Sequence, residues 1–213
     1  MVIQSRKIQT DPPWNIFGDG GDNYATFEND GTIIFYGEAT VWDDLRVPLE
    51  RAKDRGAKVP TFEQFKNNGA GSTGVYAYNF ADDDELFLSV QMPHSWREGS
   101  IIYPHIHLAP KTDGTGKKTK LTMEYEWTSL LETHGDTTIE NRDVDLETAY
   151  KQLLYDIPSG GIDGVGQTIS SFLTCRIARN AAEANNFAGD IFFLEFDVHY
   201  QMNTLGSRGI LVK

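Results

Sequence analysis

The sequence predicts an all-β chain, a jelly-roll-like antiparallel β-sandwich preceded by an N-terminal region of extended arm, hairpin and short helices. Three observations lead there. After residue 74, short segments rich in Val, Ile, Phe, Tyr and Thr recur at regular intervals between glycine and acidic turns. Twenty glycines against eight prolines suit many tight turns. A sustained helical period is almost absent. At 213 residues, with 39% hydrophobic and 23% charged residues, the chain has enough apolar side chains for a sizeable core.

The elements follow in order. Residues 1–23 have no sustained period, and Asp11-Pro12-Pro13-Trp14 and Gly18-Asp19-Gly20-Gly21-Asp22 favour extended or turn structure. Trp14 and Phe17 suit packing on another surface, another chain's included. Residues 24–28 and 32–36 flank Asn29-Asp30-Gly31, whose Asp-Gly supplies the positive φ of a hairpin turn. From Asp43 to Gly56 the spacing of Leu45, Leu49 and Ala52 predicts a helix, irregular near Pro48. Phe62 and Phe65 predict a second short helix over 60–68. The glycine-rich stretch 69–74 is the expected boundary between an attachment region, residues 1–73, and a sandwich domain, residues 74–213.

Strands are then expected at 75–79, 86–91, 101–108, 120–127, 152–157, 168–178 and 191–202, with 209–212 as a last one. Residues 120–127 alternate most cleanly, with Leu121, Met123, Tyr125 and Trp127 on one face. Residues 145–154 fit either helix or strand.

Composition excludes several functions. The net charge is −12, from 19 basic and 31 acidic residues, which repels phosphate backbones and anionic headgroups. Neither nucleic acid nor a membrane is therefore an expected partner. Cys175 is the sole cysteine, so no intrachain disulfide and no cysteine-rich zinc module forms. The opening residues lack the apolar stretch of a secretory signal, and folding in a reducing compartment is the expectation.

The most pointed chemistry is His105-Ile106-His107. On a strand, residues two apart share a face, so both imidazoles project together and form half of a transition-metal site. Glu195, Asp197 and His199 share one face of the last long strand, and with Glu124 and Glu126 are candidates for the remaining ligands. An equally simple reading satisfies His105 and His107 by hydrogen bonds at a subunit seam. The loop 160–166 lacks the Lys-Ser/Thr of a phosphate loop. His94-Ser95 has no acid at triad spacing. The acidic run 82–85 reads as a solvated turn, Glu124 and Glu126 as a strand's wet face, and Cys175 as a core residue.

Two resemblances attach to these residues. Gly99, five residues and then His105-x-His107 resemble the opening of the first cupin motif, and His199-x-x-x-Asn203 the close of the second. That implies a cupin-like metal-dependent enzyme, or a carbohydrate-binding lectin, built on His105, His107 and His199. The glutamate that the motif places after the second histidine is missing, with Lys111 and Thr112 near its place, and so is the Pro-x-Gly before the last histidine. The His-x-His also resembles the threefold iron sites of phage fibres, which implies a transition metal on a threefold axis and needs no catalytic residue.

A third resemblance spans much more of the chain. Asp22-Asn23-Tyr24-Ala25-Thr26-Phe27-Glu28-Asn29-Asp30-Gly31-Thr32 and Gly37-Glu38-Ala39-Thr40-Val41-Trp42-Asp43-Asp44-Leu45-Arg46 are similar to the start of a group of tailed-bacteriophage virion proteins. The pattern continues with Val90-Gln91-Met92-Pro93-His94 and Pro104-His105-Ile106-His107; Leu108 stands where that group often has tryptophan. The resemblance implies a non-enzymatic structural protein, localised to the virion after assembly in the host cytoplasm. Its partners would be other virion proteins of capsid, neck or tail, with a host-surface glycan as a candidate ligand.

The aromatic load points the same way on physical grounds. Twenty-five Phe, Trp and Tyr residues are plentiful for one sandwich, and pairs such as Phe192-Phe193 and Tyr76 with Tyr78 break strict alternation. Apolar residues on both faces of a strand require both faces to be covered. A closed homo-oligomer, a trimer, is the expectation, with residues 1–73 mediating attachment.

Overall fold

The computed structural model describes residues 16–28 and 31–209. Its body is two antiparallel sheets packed face to face, the sandwich that the sequence predicts. The smaller sheet orders β10 (Thr138–Asp145), β9 (Lys118–Thr128), β12 (Phe172–Asn180) and β7 (Glu85–Gln91). The larger orders β11 (Leu153–Asp156), β8 (Tyr103–Pro110), β13 (Ile191–Met202), β6 (Val75–Phe80) and β5 (Thr61–Lys66), with β4 (Val41–Val47) also on β13. A third small sheet, β1 (Ile16–Gly18), β2 (Tyr24–Phe27) and β3 (Ile33–Tyr36), holds the expected hairpin. It ties to the body where Phe35 N–H donates to Asn203 O at 2.8 Å. Trp14, the Asn29-Asp30 turn and the expected strand at 209–212 lie wholly or mostly outside the described residues. Among the described residues, no helix is long and apolar enough to cross a membrane.

The core forms between the inner faces. Leu121, Met123, Leu173, Cys175, Ile177, Leu86 and Val90 of the smaller sheet meet Ile106, Leu108, Phe80, Phe193, Phe196 and Val198 of the larger. Phe80 and Phe193 stack at 3.9 Å. Arg179, the inward residue at the end of β12, is also buried. Its guanidinium donates to Phe80 O and Phe187 O at 2.7 Å and to Thr119 Oγ1 at 3.1 Å, and pairs with Asp82. Each of the three guanidinium nitrogens finds an oxygen, as a buried guanidinium requires.

Both predicted helices are strands, and the reason is tertiary. β13 is twelve residues long, while β6 pairs only with residues 191–193 on one of its edges. Residues 41–47 complete that edge, pairing Val47 with Phe196 and Leu45 with Val198. Leu45 and Val47 turn to the core, Asp44 and Arg46 turn outward, and only a single 3-10 turn, Leu49–Arg51, remains of the helix. Over 61–66 the two-residue alternation of a strand puts Phe62 and Phe65, three apart, on opposite faces of β5, which bulges between Gln64 and Lys66. A three-residue spacing that suggests a helical face is here a bulged strand. The glycine-rich stretch 69–74 connects β5 to β6 within the larger sheet, so strands from before residue 74 belong to the sandwich.

Two further points differ from the sequence reading. β10 was not foreseen; its inward positions Glu140 and Arg142 are charged, as suits an edge strand. Residues 145–154 are neither wholly helix nor strand: β10 ends at Asp145, a turn follows, and β11 begins at Leu153.

Candidate functional site

β8, β13 and β4 lie side by side, and their outward residues converge. Opposite His105 stands Asp197, opposite His107 Glu195, and opposite His199 are Tyr103 on one flank and Asp44 on the other. Ile106 and Leu108 enter the core, so the alternation expected for His105-Ile106-His107 holds.

Asp197 is the hub. Its side chain is buried, with His107 Nε2 at 3.0 Å from Oδ2. His105 Nδ1 lies 3.2 Å from Oδ1, an ion-pair distance too poorly aligned for a hydrogen bond. Burial alone would push the Asp197 carboxyl up; the two flanking histidines outweigh it and hold the group below its ordinary value of 3.8. Gln152 Nε2 donates to His107 Nδ1 at 3.2 Å, which fixes the tautomer that donates from Nε2 to Asp197. His199 Nδ1 donates to Asp44 Oδ1 at 2.6 Å, its ring stacks on Trp42 at 4.9 Å and 3°, and it lies 5.6 Å from His105.

This arrangement has two chemical capacities. Asp44, His105 and Asp197 each offer a ligand atom within 4.8 Å of the others, a donor set of imidazole and carboxylates that suits a divalent transition metal. Metal-binding histidines usually donate their second ring N–H to a carboxylate, and Asp197 stands in that position for His107. The other capacity is a solvent-facing platform, where half-exposed Trp42 lies flat against His199 beside the Asp44 carboxylate.

Asp44 and Trp42 were not singled out as ligands by the sequence. Placed at the start of the helix expected from Asp43 to Gly56, Asp44 gives no sign of facing His199; its strand register supplies that. The remaining carboxylate candidates are occupied elsewhere. Glu124 accepts from Arg176 and from Thr137, Glu126 from His134, and Glu195 sits 3.7 Å from Arg46. Cys175 is a buried core residue whose thiol is pushed far up by burial.

No family model matches this chain, and no curated protein does. Among solved structures it is similar to the CBM22-1–GH10 modules of a Clostridium thermocellum xylanase 10B complexed with xylohexaose. That match has 12% identity and a TM-score of 0.37 over 74% of this chain and 28% of the other. It is also similar to the structure of infectious bursal disease virus, Gx strain, at 9% identity and a TM-score of 0.28, over 85% of this chain and 64% of the other. The chain thus spans less than two thirds of either matched protein. Likenesses this faint carry no argument about what the chain binds or builds.

Proposed function

We propose that this chain is a non-enzymatic structural protein of a bacteriophage virion. It assembles as a homotrimer on the particle surface, as head decoration or spike or as a neck or tail fibre component, against other virion proteins. The observation that carries this reading is apolar surface left over after the sandwich has closed. Along the β5–β6 edge Phe62 is 53% exposed, Tyr76 45% and Val75 61%, with Phe62 5.7 Å from Tyr76 and 5.2 Å from Tyr78. Contiguous exposed aromatics of this kind mark surfaces that a partner covers. The ordered blocks resembling tailed-phage virion proteins support an assembly of the virion kind. A metal on the threefold axis would be held by His105 and His107, with Asp197 behind His107 and the metal taking the place of the Gln152 contact at His107 Nδ1.

Particles purified from the virus that encodes the chain supply the test. Quantitative mass spectrometry should find this protein in whole-number multiples of three per particle; its absence from washed particles overturns the reading.

A second reading, a carbohydrate-binding lectin, is favoured by the Trp42 plate beside Asp44. Saturable binding to a glycan array that Trp42→Ala removes, while the protein stays absent from particles, would select it.

A further inference from the structure

β7 ends the smaller sheet, and its main-chain groups alternate between β12 and the open edge. Met92 continues the inward set, with its N–H 2.9 Å from Ser171 O. The outward set is used first by the chain itself. Phe87 exchanges both hydrogen bonds with Lys53, at 2.7 and 2.8 Å, and Glu85 N–H donates to Lys58 O at 2.8 Å. By the same alternation Ser89 and Gln91 turn their N–H and C=O out of the edge. Both residues are exposed, and among the described residues nothing pairs with these groups.

The open groups face a groove of about 680 Å³ between β7 and β4. Leu45, Val47, Leu88 and Val90 give it an apolar floor, and Arg46, Arg51 and Lys53 line it with positive charge. Among the described residues no carboxylate side chain lines it, on a chain whose net charge is −12. Arg46 has Glu195 at 3.7 Å, whereas Arg51 and Lys53 have no carboxylate partner among the described residues.

We propose that this groove binds an extended acidic segment of another polypeptide, which adds as a strand to β7 at Ser89 and Gln91. The edge supplies donors and acceptors at the two-residue repeat of a strand, which a peptide backbone matches and a sugar chain or lipid does not. Apolar side chains of the segment would alternate into the floor, and its carboxylates would meet Arg51 and Lys53. The proposal does not depend on the virion reading, since any acidic partner chain fits it.

Three fluorescein-labelled peptides test it on the full-length protein by fluorescence anisotropy: Val-Glu repeats of eight residues, the same with Lys for Glu, and the Val-Glu peptide N-methylated at alternate residues. The acidic peptide should bind saturably. N-methylation and the Lys exchange should each weaken it about tenfold or more, the scale of losing one or two edge hydrogen bonds or a charge pair. Ser89→Pro removes an outward N–H without touching the β12 ladder and should weaken binding equally. Should that variant not fold, the N-methylated peptide on the unaltered protein decides. Failure of the acidic peptide to bind, or equal binding of all three peptides, overturns the proposal.

Discussion

The outward face of β13 has two halves, divided by the bulge between Phe193 and Glu195, and they are finished in opposite ways. Before the bulge, Phe192 is wholly buried under Phe65 at 5.0 Å and Tyr150 at 6.2 Å, with Lys66 Nζ 3.3 Å from the centre of the Tyr150 ring. After the bulge, the same face carries Asp197 and His199, flanked by Trp42 and Asp44 on one side and the rings of His105 and His107 on the other. One half is closed by the chain's own aromatics; the other is polar and open to solvent at its rim. The contrast teaches that consecutive apolar residues do not by themselves call for a neighbouring subunit. Phe192 and Phe193, part of the sequence argument for oligomerisation, are both buried within one copy. The case for assembly rests instead on Phe62, Tyr76 and Val75.

The largest expected effect breaks the closed half. Phe192→Ala empties a fully buried site between Phe65 and Tyr150 and should cost about 3–5 kcal/mol, read as a lowered denaturation midpoint with unchanged slope. A loss below about 1 kcal/mol would mean that Phe65 and Tyr150 do not cover this face.

In the open half the corresponding change is Asp197→Ala. It strands His105 and His107 against a buried gap and should cost about 2–3 kcal/mol. The pH dependence sharpens the point. Because the Asp197 carboxyl is held below its ordinary value of 3.8, its contribution is fully present above that value and is lost as pH falls through the lower native one. The stability gap between the native protein and Asp197→Asn should therefore narrow in urea titrations as the pH falls through 3.8 and below. A gap that widened on acidification would contradict the assignment.

The smallest effect belongs to Lys66→Ala, which removes a cation from above the Tyr150 ring. It should cost about 0.5–1 kcal/mol and should shrink when Tyr150 is changed as well, since the two act as a pair.

Much of the fold was legible in the sequence because most core strands alternate cleanly. Residues 120–127 and 191–202 carry their inward sets openly, and the outward trio Glu195, Asp197 and His199 follows from parity. What failed was local spacing without a partner in view. Leu45, Leu49 and Ala52 fit a helix, yet the unfilled edge of β13 takes residues 41–47 as a strand. Phe62 and Phe65, three apart, fit one helical face equally well, yet on β5 they serve opposite faces, Phe62 beside Tyr76 and Tyr78 and Phe65 over Phe192. β10 escaped notice because a charged edge strand lacks an apolar stripe. At the site, His105 and His107 were visible from their own spacing. Asp44 and Trp42 were not, because their role exists only once β4 lies against β13.

The exposed aromatic edge of β5 and β6 leads to the most direct test, the mass of the purified protein by sedimentation equilibrium. A trimer of 23.9 kDa chains, three times that mass, is expected. Conversion to single chains should follow when Phe62 and Tyr76 are both changed to serine. A native protein that sediments as one 23.9 kDa copy at every concentration would contradict the account.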